Sequence, residues 1–274
     1  VPELPEVETV VRDLRPLLIG RSFAKIMVGR KALRRKWSRS WERQLLGRRV
    51  SAISRRGKWI LIDLGEPWLL VHLGMTGQFT VTAADIPREA HTHIVFTLDD
   101  AAELRFRDVR RFGSVTFYPS RAQLDAVFAS NGLGPEPFEL DATTWFESLH
   151  STRRNLKAFL LDQTTVAGVG NIYADESLFE ANLHPATIGS RLKPSQAELL
   201  REAIVKVLTR AIERRGSSIR DYIGGSGLRG QFQDEFSVYA RTGEPCPRCR
   251  AAIVKITLAG RSTHFCPKCQ RKRP

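Results

Sequence analysis

Apolar residues Val7, Val10, Val11, Leu14 and Leu17/Leu18 recur at helical spacing and predict one amphipathic helix over residues 5–18. Pro5 falls in its first turn, where a missing N–H costs no helical hydrogen bond. Pro16 is expected to kink or end the helix and Gly20 to close it. From Phe23 to Tyr118 the period changes to short β-rich runs: Lys25–Val28, Val50–Ser54, Trp59–Leu64, Trp68–Leu73, His93–Leu98 and Phe112–Tyr118. Turn residues separate them, which predicts a two-sheet β-sandwich led by the N-terminal helix. The breaker-dense stretch Asn131-Gly132-Leu133-Gly134-Pro135-Glu136-Pro137 reads as a linker. Beyond it the pattern is helical: a short amphipathic run at Arg153–Leu161, a helix at Asn171–Ala181 after Gly168-Val169-Gly170, and a long one at Pro194–Arg215. The last places Leu199, Leu200, Ile204, Val207, Leu208 and Ala211 at helical spacing, with Gly216 as its stop. Residues 216–231 hold five glycines and few hydrophobes, so they form a flexible loop, either a passive connector or a substrate lid. Short strands around four cysteines follow from Phe236, and no long-period repeat is present. The expected architecture is α+β and multidomain. An N-terminal helix plus two-sheet β-sandwich covers 1–131, a helical domain with the 216–231 lid covers 132–235, and a cysteine-bearing hairpin covers 236–274.

Composition narrows the partner. The 274 residues give room for two domains able to bury a core, and the formal net charge is +14 with a pI near 10.2. The charge is clustered: between Gly29 and Arg56 there are eleven basic residues and one acidic, Glu42, and from Cys246 to Pro274 eight basic and none acidic. Such a layout suits a polyanion. A ribosome or an anionic membrane surface would accept it, but nucleic acid is the commonest such partner. No run of 18 apolar residues exists to span a membrane, and the acidic N-terminus lacks a signal-peptide core, so the expected compartment is the cytoplasm.

All four cysteines lie in the last 29 residues, as Cys246-Pro-Arg-Cys249, sixteen intervening residues, and Cys266-Pro-Lys-Cys269. Two such knuckles can supply four thiolates to one tetrahedral zinc ion. A segment this short cannot bury an adequate core alone, so metal binding would fold it. A redox role for either CxxC would call for a βαβ setting that is absent from the pattern. The expectation is a zinc ribbon with one structural Zn2+ and no organic cofactor. A complete shell of four thiolates leaves no open position for catalysis.

Five segments carry a resemblance. Pro2-Glu-Leu-Pro-Glu-Val-Glu-Thr9, His72-Leu-Gly-Met-Thr-Gly77, Asp108-Val-Arg-Arg-Phe-Gly113, Gly168-Val-Gly-Asn-Ile-Tyr-Ala-Asp-Glu176 and the terminal CxxC–GRST–CxxC occur in one order across nearly the whole chain. Together they resemble the formamidopyrimidine-DNA glycosylase family. The resemblance implies a monomeric bifunctional repair enzyme that excises oxidised purines from damaged double-stranded DNA and then nicks the abasic strand by β,δ-elimination. It also implies that the helical segment is a helix–two-turn–helix element. Rival readings are the sister enzyme for oxidised pyrimidines, endonuclease VIII, and a non-catalytic damaged-DNA-binding protein.

The resemblance assigns Pro2 as nucleophile and Glu3 as general acid/base. The chemistry suits them independently: an α-amine with pKa about 8 is roughly a tenth neutral at pH 7, against less than about a thousandth for an ordinary lysine. A secondary amine also yields an iminium with no nitrogen proton to lose, so it stays an electron sink. This requires a free Pro2 nitrogen. Val1 is expected to be a GUG start codon written literally, decoded as Met and removed; if it is retained, Pro2 is an amide and inert. Glu6, about a turn on, is read either as a helix-dipole partner or as a brace for the terminus or the ribose.

Lys58 and Arg261 match family residues that contact phosphates and assist the β- and δ-eliminations. Met75, Arg110 and Phe112 match the trio that fills the gap left by an everted nucleotide. As isolated hydrophobes Met75 and Phe112 would be read as core, but their glycine-flanked turns favour exposure. His72, His91, Asn171 and Tyr239 match phosphate contacts, Asn171 opening a helix whose amides suit an anion. A basic contact expected near 152–153 falls on Arg153. The departures are Val109, where the family often has proline, and the 216–231 loop, which matches in composition more than in residues.

Overall fold

A computed structural model describes residues 2–218 and 223–272. Two compact units are present, Val1–Asn131 with Arg214–Gln231, and Gly132–Glu213 with Phe232–Pro274. The glycine-rich segment therefore belongs with the N-terminal unit, whereas the sequence pattern groups it with the helices. The cysteine hairpin belongs with the helical unit.

Helix α1 spans Leu4–Leu18 and buries Leu4, Val7, Val10, Val11, Leu14 and Leu18, while Leu17 is exposed. Pro16 does not end it. Pro16 and Arg12 both lie on the exposed face, where the carbonyl that Pro16 cannot match is open to water. Gly20, at φ +82°, closes the turn in a conformation that favours glycine.

Two four-stranded antiparallel sheets follow. One has the order β1 (Phe23–Val28), β6 (Thr92–Leu98), β7 (Glu103–Asp108), β5 (Gly77–Thr82); the other runs β2 (Ala52–Arg56), β3 (Trp59–Asp63), β4 (Trp68–His72), β8 (Ser114–Tyr118). Their facing side chains and α1 share one core that includes Phe23, Ile60, Ile62, Val71, Phe79, Phe96 and Phe106. β7 escapes the hydrophobic pattern because only Leu104 and Phe106 face the sandwich core, while Glu103 and Arg105 alternate with them on the opposite face, beneath the 83–90 loop. Glu103 and Arg105 are buried as an ion pair (2.8 Å), and Arg105 also donates to the Ile86 carbonyl (2.6 Å), pinning the 83–90 loop. Two short helices, α2 (Arg39–Leu45) and α3 (Arg121–Ser130), lack a wide apolar stripe; each buries a single leucine.

In the second unit α4 (Ala142–His150), α5 (Leu156–Leu161), α6 (Asn171–Glu180) and α7 (Pro194–Glu213) pack together. α5 begins three residues later than its expected start because Asn155 caps it, accepting the Ala158 N–H at 2.9 Å. α7 buries Leu200, Ile204, Val207, Leu208 and Ala211, but Leu199 is 53% exposed and is not on the packed stripe. The chain ends in the hairpin β9 (Val254–Leu258) and β10 (Arg261–Phe265). Among the described residues no helix is long and apolar enough to cross a membrane.

Candidate active site and nucleic-acid interface

Pro2 and Glu3 precede the first turn of α1 and are buried; Glu3 is 3% exposed. Glu3 and Glu6 form a capping box in which the Glu6 carboxylate accepts the Glu3 N–H at 2.8 Å. The other Glu6 oxygen accepts the Ser217 N–H at 2.7 Å and the Ser217 hydroxyl at 3.1 Å. Glu6 is thus a brace between the start of the chain and the glycine-rich segment. Asp13 provides a second tie: its Oδ2 accepts from the Arg215 guanidinium (2.7 Å) and the Ser226 hydroxyl (2.9 Å). The described parts of 216–231 are therefore held against α1. Residues 219–222 of the expected lid, and Val1, lie outside the described residues.

Three residues singled out in the sequence, His72, Met75 and Phe112, line one cleft. Arg34, His72, Gly74, Met75, Arg111 and Phe112 line a volume of about 550 Å3. Met75 is 37% and Phe112 46% exposed, so neither is a core residue. The Arg110 guanidinium lies over the Phe112 ring at 4.7 Å. Lys58 sits in the two-residue turn joining β2 to β3, and its charge acts on His72. Burial, then the Lys58 and Arg34 charges, lower the His72 pKa to about 4. His72 is therefore neutral at physiological pH, and its Nδ1 accepts the Gly74 N–H at 3.0 Å. The proton must then sit on Nε2, which can donate to a phosphate oxygen. His91 is exposed, with its ring centroid 6.5 Å from that of His93.

The residues that hold this cleft escape sequence reasoning. Asp108 is fully buried and accepts from the Thr76 hydroxyl (2.5 Å), the Arg110 N–H (3.2 Å) and the Gly113 N–H (2.7 Å). His93 Nε2 donates to the Asp108 carbonyl at 2.9 Å. The only sequence signal is an acid inside an otherwise basic motif.

In the C-terminal unit, Asn171 opens α6 after the glycine turn, which Gln163 pins by accepting the Gly168 N–H (3.0 Å) and donating to the Val169 carbonyl (2.7 Å). Asn171 Nδ2 donates to the Ser262 carbonyl at 3.1 Å, beside Arg261, and its buried Oδ1 has no hydrogen-bond partner among the described residues. A buried triad underlies this contact. Lys157 and Asp175, both 0% exposed, pair at 2.6 Å, and Asp175 also accepts the His264 N–H (2.9 Å) from β10. Glu176 accepts the N–H groups of Ser237, Val238 and Tyr239 at 2.8–2.9 Å, although burial pushes its carboxyl pKa up. The Tyr239 ring packs on His264. Arg153 is exposed, whereas its neighbour Arg154 is paired with Asp162 at 2.5 Å, so Arg153 is the more available cation of the two.

Arg261 begins β10 directly after Ala259 (φ +49°) and Gly260 (φ +69°), the two-residue turn that suits a twisted hairpin. Below it the four cysteine Sγ atoms lie within 4.8 Å of one another, with separations of 3.4 and 3.9 Å for two of the pairs. Tetrahedral zinc with Zn–S near 2.3 Å needs S–S edges of about 3.8 Å. Thiols this close resist ionising together: burial and the neighbouring thiols push Cys269 up to about 12, while the Ala251 backbone hydrogen bond draws Cys249 down to about 7. A divalent cation resolves that conflict, so the donor set fits one structural zinc.

Comparison with known proteins agrees along the chain. Residues 1–115 match the formamidopyrimidine-DNA glycosylase N-terminal domain, residues 133–222 the formamidopyrimidine-DNA glycosylase H2TH domain, and residues 243–271 a zinc finger found in FPG and IleRS. A formamidopyrimidine-DNA glycosylase of Streptococcus pyogenes is 41% identical over 278 residues, covering 100% of both chains. One from Carboxydothermus hydrogenoformans is 42% identical over 275 residues, covering 99% of this chain and 100% of the relative. The solved complex of the Lactococcus lactis Fpg with an abasic-site-containing DNA superposes with a TM-score of 0.91 at 38% identity, covering 98% of this chain and 100% of that one. The complex of the same organism's enzyme with a Fapy-dG-containing DNA gives 0.90 at 38% identity, with 98% and 100% covered.

Proposed function

The chain belongs to the formamidopyrimidine-DNA glycosylase family, and on that premise we propose how its own residues carry out the reaction. It is a bifunctional base-excision-repair enzyme that removes oxidised purines, 8-oxoguanine and formamidopyrimidines, from duplex DNA and cleaves the abasic strand. Its working compartment is the bacterial cytoplasm, at the nucleoid.

Pro2 nitrogen attacks C1′ of the damaged nucleotide, the glycosidic bond breaks, and the base leaves with a proton from Glu3. The proton that the Pro2 nitrogen sheds after attack passes to the ring oxygen as the C1′–O4′ bond breaks, giving an iminium between Pro2 and the opened sugar. Removal of a C2′ proton then expels the 3′ phosphate, and a second elimination expels the 5′ phosphate. Lys58, His72, His91, Arg153, Asn171, Tyr239 and Arg261 hold phosphates. For Lys58 and Arg261 that electrostatic role outweighs proton donation, since an arginine with pKa above 12 is a poor acid. Met75, Arg110 and Phe112 fill the vacated stack, Arg110 facing the orphaned base. Zinc, when bound by the four cysteines, supplies no chemistry; it holds the hairpin carrying Arg261.

The observation that carries this reading is the buried Pro2–Glu3 pair, whose backbone is fixed by Glu6 at the head of α1. Borohydride trapping on a duplex with 8-oxoguanine opposite cytosine tests it. The expected product is one covalent protein–DNA adduct, mapped by mass to an N-terminal Pro2. Retention of Val1 in the active enzyme would remove Pro2 as nucleophile. Preferential trapping on thymine glycol would move the substrate class to oxidised pyrimidines.

A further inference from the structure

The buried Asp108 carboxylate accepts three hydrogen bonds, and all come from the two segments that carry the gap-filling side chains. Thr76 follows Met75 directly; Arg110 N–H and the N–H of Gly113, next to Phe112, belong to the other loop. The Thr76 hydroxyl, while donating to Asp108, also accepts the Arg110 N–H at 3.1 Å. The two backbones abut where neither has a side chain. A Cβ on Gly74 would lie 2.5 Å from the Gly113 nitrogen, and one on Gly113 would lie 3.0 Å from Asp108 Oδ2. His93 fixes the Asp108 carbonyl from β6. Among the described residues no lysine or arginine side chain pairs with this carboxylate, so its charge is held by two N–H groups and one hydroxyl.

We propose that Asp108 is a positioning residue that joins the Met75 turn and the Arg110–Phe112 turn into a single rigid wedge, required when the enzyme must hold open a duplex. The inference rests on the proposed function, because it assumes that these three side chains enter the stack. A buried, fully accepting carboxylate suits that role, since each of its bonds is charge-assisted and none can be exchanged for water without opening the core. Asparagine cannot replace it. With its oxygen toward the Gly113 N–H, its NH2 faces the Arg110 N–H; turned over, the NH2 faces Gly113.

The roles of positioning and of mere stability separate by substrate. In single-stranded DNA there is no vacated stack and no orphaned base, so the wedge has nothing to fill. Strand cleavage is measured for Asp108→Asn at one abasic site presented in a duplex and in the same oligonucleotide without its complement. The expected kcat/KM on duplex falls about tenfold or more, the order of one lost charge-assisted bond, with cleavage of the single strand unchanged. Thr76→Val, which deletes one donor and keeps the shape, shifts the same ratio in the same direction by less, and serves if Asp108→Asn fails to fold. Parallel losses on both substrates, or no loss on duplex, overturn the proposal. A wild-type protein that cleaves neither substrate overturns the function reading instead.

Discussion

The 108–113 turn of the N-terminal unit and the 254–265 hairpin of the C-terminal unit both present basic side chains, but on foundations of different kinds. The turn stands on a sandwich core that extends from Val7 and Leu14 of α1 to Phe117 of β8, and one buried carboxylate shapes it. The hairpin stands on Phe179, Val238, Ile253 and two of its own cysteines, Cys246 and Cys266, with the other two half-buried beside them. Apolar burial alone sustains the first; the second has so little of it that a cation must contribute the folding free energy. Where a core is large, function can be placed by a hydrogen bond, and where it is small it is placed by a metal.

Withdrawing zinc tests that contrast most severely. Structural zinc contributes on the order of 10–16 kcal/mol in isolated fingers. Chelation, or Cys266→Ser, should therefore abolish hydrogen-exchange protection across 254–265 and strand cleavage on duplex. Four of the five tryptophans, Trp37, Trp41, Trp59 and Trp68, lie in the N-terminal unit, so most of the native fluorescence should survive. A hairpin that stays protected without metal would erase the distinction.

Next in size is Lys157→Met. It leaves Asp175 buried without its cation and should destabilise the C-terminal unit by about 3–5 kcal/mol, read as a lower Tm followed through Trp145. The same change should leave the N-terminal transition in place. A smaller effect belongs to His72, whose pKa falls from 6.5 to about 4 on folding. Its folded state favours the neutral ring, so its contribution to stability is complete above pH 6.5 and is lost as pH falls through about 4. His72→Gln should flatten the Tm-against-pH curve within that window; an unchanged slope would refute the assignment. The smallest is Ala259→Asn, which relieves a non-glycine residue at φ +49° and should stabilise the hairpin by about 0.5–1 kcal/mol, measurable as lower sensitivity to chelator.

Periodicity makes α1 and α7 legible through their long apolar stripes, the preceding glycine turn marks α6, and strands such as β3 and β4 stand out as short apolar runs between turn residues. It fails where burial is polar. β7 hides Glu103 and Arg105 inside an ion-pair network, and the short helices α2 and α3 bury too little to leave a stripe. The site divides in the same way. Residues that face a ligand, such as Met75, Phe112 and Arg261, sit in recognisable motifs. Their supports are harder to see: Asp108 and Asp175 lie inside the same motifs, but their roles, like those of Lys157 and His264, are set by partners as much as 89 residues away in the chain. Leu199, apolar and correctly spaced, is exposed because the stripe on α7 is narrower than the spacing alone allows.

Glu6 has a consequence for the order in which the molecule is completed. The residue is 2% exposed, and one of its two carboxylate oxygens is bonded by Ser217, 211 residues later. During synthesis the strands up to Tyr118 leave the ribosome well before that serine does. The sandwich can assemble early, but the Glu6 carboxylate beside Glu3 then lacks both the donors that Ser217 brings and the cover of Gly216, so the first turn of α1 is not yet held in its final setting. The head of the chain, first to be made, is thus among the last parts to acquire its final setting. A nascent chain would bind no lesion productively until nearly all of it had emerged.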